Sequence, residues 1–345
     1  MPHNRTTLSD IAARLNISKS AVSLALKDSP AVSAELREKV KKTARSMGYS
    51  RNELVSAVMS SMKRRAFGTF SESIAVINGN PDENALKNHQ TLPKYFAGIR
   101  DEARKFGYSL NEFWLHSPDL TPKKLARALR SRGIRGGVII GHSVGNTFPD
   151  DFSQIWRDFY FISIGIKTNN PTLEMVSADH YAITYRAAKN AIAMGFKRPA
   201  LALDMHIDEL VDGRFIAGFL RAQFDLPESS RISPFTLPES APDYSRELCE
   251  WVNKARPDVI LHLMDSVRTA MQSAPQKESK GVKLIQLERR KKVADWVGME
   301  QNNDIVGRVA IRRLADMLNR EAPRRNEISN LVSLVPPTWI PPRNA

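Results

Sequence analysis

The stretch Thr7–Asp28, "TLSDIAARLNISKSAVSLALKD", holds two short apolar-periodic segments separated by the four residues "LNIS". Thr7 can cap a helix through its hydroxyl, and Asp10, three positions on, places a carboxylate at the positive end of the helix dipole. Leu8, Ile11, Ala12 and Leu15 then fall at i, i+3, i+4 and i+7, one face of a helix. Asn16 is among the few non-glycine residues that tolerate the left-handed backbone of a sharp interhelical turn. Ser18 suits the cap of a second helix, on which Val22, Leu24, Ala25 and Leu26 include the expected buried face while Lys19, Ser20 and Ser23 share another. A third helix is expected after Ser33, with Leu36, Val40, Ala44 and Met47 at helical spacing and an end at Gly48.

Three helices with a four-residue break between the first two form the helix-turn-helix pattern. A small bundle used for protein contact would share parts of it. The small Ala12, the tight turn, the polar N-terminal face of the second helix and the local charge together favour DNA. A helix entering the major groove must offer short hydrogen-bonding and basic side chains near its N-terminus while its other face packs on its neighbour. The chain has 345 residues and a formal charge of +14, and residues 1–65 carry 13 Lys/Arg against 5 acids, or +8 of that total. Such a balance points to a polyanionic partner.

With 42% hydrophobic and 26% charged residues the chain reads as globular, long enough for a small domain and one or two larger cores. The single cysteine, Cys249, excludes an internal disulfide framework and fits a reducing compartment. "MPHNRTTLSD" has no apolar secretory core, and no run approaches the roughly 18 apolar residues of a membrane span, so a cytoplasmic location is expected.

From Ile74 short apolar runs alternate with amphipathic helical stretches. The expected strands are "IAVING", "YSLNEFWL", "GGVIIG", "FYFISIGI", "RPALALD", "PDVILHL" and "VKLIQLE". Such alternation argues for parallel sheets covered by helices on both faces. Its length suits two similar lobes, divided near "KTNNPTLEMVSAD". Ligands in parallel α/β sheets bind beyond the carboxyl ends of strands and in clefts between lobes. The strand-end polar residues Asn78, Asn80, His142, Asp204, Arg214, Asp265 and Glu288 are therefore the candidate ligand contacts. Carboxylates and an arginine can each hold two adjacent hydroxyls of a polar ligand in fixed directions. Any one of them could instead be a solvated loop residue, and a lone histidine such as His142 is more often a hydrogen-bonded structural residue.

Enzymatic motifs are missing: no glycine-rich phosphate loop follows "IAVINGN", and there is no nucleophile elbow and no metal-spaced His/Cys cluster. No catalysis, cofactor or metal is expected. A ligand sensor whose basic N-terminus serves protein contact or nonspecific anchoring on DNA stays open as the alternative.

The segment "TLSDIAARLNISKSAVSLALKDSPAVSAELREKVKKTARSMGYSRN" resembles the DNA-binding headpiece of the lactose-repressor family of bacterial transcriptional regulators. The resemblance implies that Lys19, Ser20 and Ala21 open the recognition helix, and that Thr7, Leu8, Ser18, Ser23 and Asn52 also face DNA. It implies a hinge helix containing Val55, Val58 and Met59, with Val58 as the apolar wedge in the minor groove and Met59 beside it to share the task; packing of Leu54, Val55, Val58 and Met59 on the larger domain is the alternative. Lys63, Arg64 and Arg65 follow as a basic linker. Two departures stand out: Leu24 replaces a frequent arginine or lysine, and Asn16 a frequent glycine.

The remainder resembles, more weakly, the family's two-lobed effector domain, which is similar to periplasmic sugar-binding proteins and whose chain crosses between lobes three times. Arg214 and Asp265 match effector-facing positions. The family's glycine-aspartate signature is replaced by Gln286, Leu287 and Glu288. The expected organisation is an all-α helix-turn-helix headpiece at 1–50, a hinge and linker at 51–72, and a two-lobed α/β periplasmic-binding-protein-like effector and dimerisation domain at 73–345. The implied function is an effector-controlled regulator, a repressor by resemblance, that binds double-stranded operator DNA as a homodimer. Its effector would be a sugar or other polar metabolite, its place the bacterial cytoplasm at the nucleoid, and it would have no membrane partner.

Overall fold

The structure, a computed structural model, describes residues 7–26, 29, 32–47, 72–141, 145–169, 172–237, 244–274, 281–289, 297–319 and 331–342. Asn52, Leu54, Val55, Val58, Met59 and His142, together with Lys63, Arg64 and Arg65, lie outside the described residues.

Helix α1, Leu8–Leu15, starts with a reciprocal cap: the Thr7 hydroxyl accepts from the Asp10 backbone N–H at 3.4 Å, and the Asp10 carboxylate accepts from the Thr7 N–H at 2.7 Å. These backbone and side-chain bonds from Thr7 hold the Asp10 carboxyl below its usual range. Asn16 ends the helix in the left-handed region, φ 52° and ψ 47°, as the turn requires. In α2, Lys19–Leu26, the Ser18 hydroxyl accepts from the Ala21 N–H at 3.1 Å, and in α3, Ala34–Ser46, Ser33 does the same for Leu36 at 3.3 Å. Ile11, Ala12, Val22, Ala25, Val40 and Ala44 form the buried core of the headpiece.

Among Val22, Leu24, Ala25 and Leu26 of α2, the buried face is narrower than the set. Val22 and Ala25 are buried and Leu26 half-buried, but Leu24 is 39% exposed. At about 100° per residue, Leu24 lies some 200° round the helix from Val22, on the far side from the core.

The rest of the described chain forms two six-stranded sheets. The first has the order β11-β5-β4-β3-β1-β2, from Val332–Val335, Glu174–Ala178, Tyr160–Ile164, Gly136–Ile140, Glu72–Asn78 and Tyr108–Trp114, and every pairing is parallel. The second has the order β12-β10-β9-β8-β6-β7, from Thr338–Ile340, Gly298–Glu300, Lys283–Gln286, Val259–His262, Pro199–Asp204 and Phe235–Leu237, parallel except for β12 against β10. The chain passes between the sheets after β5, after β10 and after β11, three crossings in all. One reading of the sequence needs correction: "KTNNPTLEMVSAD" is not simply the break, because it contains β5 of the first sheet. At the last crossing, Pro336 and Pro337 separate β11 from β12 in the other sheet.

After the second crossing, the Asn303–Asn319 helix returns to the first lobe and packs on the Leu92–Phe106 helix at glycine contacts. A Cβ at Gly98 would lie 1.9 Å from the Asp304 carbonyl oxygen, and one at Gly307 would lie 2.2 Å from that of Tyr95. Two buried carboxylates hold the same helix: Glu102 meets Arg312 at 2.7 Å and Glu174 meets Arg313 at 2.6 Å. Burial pushes the Glu102 carboxyl up, but the bonds and charges of Arg312 and Lys105 outweigh it and leave it lowered.

Gly307→Ala should therefore reverse the usual propensity gain of about 1 kcal/mol for alanine in a helix. The methyl meets backbone that cannot move without separating the two helices, and a net loss of roughly 1–3 kcal/mol is expected as a lower urea midpoint.

Candidate functional site: a nucleic-acid-type helix and an inter-lobe cleft

On α2 the N-terminal residues Ser18, Lys19 and Ser20 are exposed, Ala21 and Ser23 are half-buried, and Leu24 joins the outward face. The helix thus offers one ammonium, short hydroxyls and one apolar side chain on the side away from its own core. Thr7 and Leu8 have roles inside the headpiece: Thr7 is the α1 cap, and Leu8 is half-buried against the core.

In the two-lobed domain the structure separates the strand-end candidates. Asn78 is buried and turned into its own loop, donating to the carbonyls of Asp82 and Glu83 at 3.0 Å and accepting from the Asn80 N–H at 3.0 Å. The Asn80 side chain accepts from the Asp82 N–H at 2.9 Å. Asp204 caps the following helix, accepting from the His206 N–H at 2.9 Å. These three organise loops, because an Asn or Asp at a strand end finds a backbone N–H two residues on. Asp265 accepts from Gln286 at 3.1 Å.

Glu288 is 3% exposed and bridges the lobes. It accepts from the Thr91 hydroxyl at 2.9 Å and from the Asn303 amide at 3.1 Å. Lys94 adds a second tie, donating to the Arg289 carbonyl at 2.8 Å and meeting Glu300 at 3.3 Å. A third runs from the Asn146 amide to the Leu210 carbonyl at 3.4 Å. Sequence reading missed Thr91, Lys94, Asn146 and Asn303. A signal for Thr91 was present: it precedes Leu92 and Pro93 at a helix start, yet its hydroxyl caps nothing in the helix and reaches Glu288 instead.

Arg214 lines a cavity of about 10 Å3 with Gly165, Lys167, His180, Asp212 and Leu334, room for a single water. Asp208 positions the Arg214–Gln223 helix, accepting from the N–H groups of Phe215 at 2.9 Å and Ile216 at 3.2 Å. Burial pushes the Asp208 carboxyl up despite those bonds. Beside Arg214, His180 stacks against Phe215 with ring centroids 4.8 Å apart. Burial, and then the Arg214 charge, push the His180 imidazole down to about 3. Burial and the Glu288 charge push the Tyr95 phenol up. Among the described residues, no group of three or more His, Cys, Asp or Glu is placed to hold a metal, and no helix is long and apolar enough to cross a membrane.

The His180 shift has a stability consequence. Between pH 6.5 and about 3 the unfolded chain binds a proton at this imidazole that the folded chain refuses, so acidification through that window costs stability. His180→Gln should flatten the fall in melting temperature between pH 7 and pH 5, measured by circular dichroism. An unchanged pH dependence would remove His180 as its source.

Residues 7–52 match the family described as "Bacterial regulatory proteins, lacI family". A curated relative, the HTH-type transcriptional regulator Rv3575c of Mycobacterium tuberculosis, is 28% identical over 149 residues, which is 43% of this chain and 38% of that protein. Among solved structures, the transcriptional regulator CelR in complex with cellobiose aligns with a TM-score of 0.56 at 15% identity, over 99% of this chain and 100% of that one. The lac repressor dimer bound to operator and the anti-inducer ONPF aligns with 0.56 at 16% identity, over 99% of each chain. A LacI family regulator from Enterococcus faecium with bound ribose gives 0.55 at 16% identity, over 79% of this chain and 97% of that one. At such identities the structures establish the shared fold. The headpiece is thus similar in sequence to the lacI family of bacterial regulatory proteins, and the two lobes share the fold of solved regulators of that kind.

Proposed function

We propose that this chain is a sequence-specific transcriptional regulator that binds a near-palindromic operator in double-stranded DNA as a homodimer and answers to a small polar effector. The observation that carries it is the outward face of α2, where Lys19, Ser20 and Ser23 stand at the N-terminal end of a helix fixed by a buried core and preceded by a left-handed turn at Asn16. A groove-reading helix needs that arrangement. Two half-sites, and hence two headpieces, follow from the way such helices address adjacent turns of the duplex.

The effector reading places a ligand at the inter-lobe cleft near Arg214, Asp265 and Glu288. The buried oxygens Gln286 Oε1 and Asn303 Oδ1 support it. Both amide nitrogens are committed to carboxylates, and both oxygens are buried without a hydrogen-bond partner, acceptor capacity that a ligand hydroxyl would meet. The cavity at Arg214 is too small for a sugar, so in this reading an effector widens the space between the lobes, which the Thr91–Glu288 and Lys94–Arg289 bonds tie together. Differential affinity for the tied and untied arrangements would couple effector to DNA, with roughly 1–3 kcal/mol typical of such coupling.

Deleting residues 1–65 should abolish DNA binding and leave effector binding by calorimetry intact; DNA binding that survives the deletion would refute the assignment. Lys19→Ala and Ser20→Ala should change which duplexes are preferred. Neutralising Lys63, Arg64 and Arg65 should instead weaken all duplexes alike and reduce the salt slope by about one per phosphate contact removed. Equal effects of both sets on selected and random DNA would contradict these roles.

A further inference from the structure

Among the described headpiece residues, Leu24 is the large apolar side chain left exposed. Its position is not adjustable. Val22 and Ala25 are fully buried on the same helix, so turning Leu24 inward would pull both out of a small core. Leu24 lies one helical turn beyond Ser20 and next to Ser23, so the outward face of α2 runs from an ammonium at Lys19 through two hydroxyls to an isobutyl group. Lys19 and the hydroxyls suit phosphate oxygens and the polar base edges. The isobutyl group suits none of these. The one apolar feature on the floor of the major groove is the 5-methyl group of thymine.

We propose that Leu24 reads a thymine methyl in each half-site, so that the operator carries an A·T pair opposite this position. The inference rests on the regulator reading above and specifies the chemistry of its DNA contact.

Deoxyuridine differs from thymidine by that methyl alone, so it isolates the contact. Using the full-length protein and a duplex selected from random sequence, each thymine of a half-site is replaced in turn by deoxyuridine and affinity is measured by fluorescence anisotropy. The wild type should show one position at which the replacement weakens binding roughly fourfold, the scale of one buried methyl group. Leu24→Ala should bind the thymine duplex more weakly and show no further loss with deoxyuridine there. Leu24→Arg should move the preference at the same pair toward G·C. Circular dichroism melting establishes that the variants stay folded, as an exposed position allows. A flat deoxyuridine scan in the wild type, or an equal penalty in wild type and Leu24→Ala, would overturn the assignment while leaving the regulator reading in place. Failure of the selection to yield any motif would overturn both.

Discussion

The burial of Val22 and Ala25 fixes the rotation of α2, and every property of its outer face follows. A helix this short has little intrinsic stability in water, so its orientation comes from packing. Ile11 and Ala12 from α1 and Val40 and Ala44 from α3 complete the core that holds it. The small alanines let three short helices approach closely, and the left-handed Asn16 sets the angle between the first two. Lys19, Ser20 and Leu24 face outward because the opposite side of the helix is taken.

The larger domain follows a different constraint. Parallel strands need crossover helices, and the chain passes three times between the sheets, whose lobes meet at Thr91–Glu288, Lys94–Arg289 and Asn146–Leu210. Gly98 and Gly307 let the returning Asn303–Asn319 helix lie directly on the Leu92–Phe106 helix. Asn303, at its start, thereby reaches Glu288 from the second lobe, with Thr91 on the other side. A carboxylate buried to this degree has to be met by donors, and here the donors come from this chain. The lobes are consequently tied through the place where strand-end ligands bind in folds of this kind.

The headpiece was legible because its signals are local: Thr7 with Asp10, Asn16, and Ser33 each act within four residues, and each forms the cap or turn that the sequence implies. Seven strands of the larger domain were legible from apolar runs. The strands β7, β10 and β12, three residues each, are too short to show a period. Leu24, grouped with the apolar residues of α2 but standing where the resemblance often has a cation, faces outward because its angle from Val22 decides its side. The cleft was least legible. Asn78, Asp204 and Glu288 stand at strand ends as expected, but whether a polar side chain faces a ligand, its own loop or the other lobe depends on residues as far apart as Thr91 and Glu288.

The most direct test of the account is selection of bound fragments from random-sequence duplex DNA by the purified full-length protein at moderate salt, followed by sequencing. The account predicts a palindrome of two half-sites with a flexible pyrimidine–purine step at its centre, the step most easily kinked by an apolar wedge. Recovery of DNA without any shared motif would contradict it and leave the basic N-terminus as a nonspecific anchor.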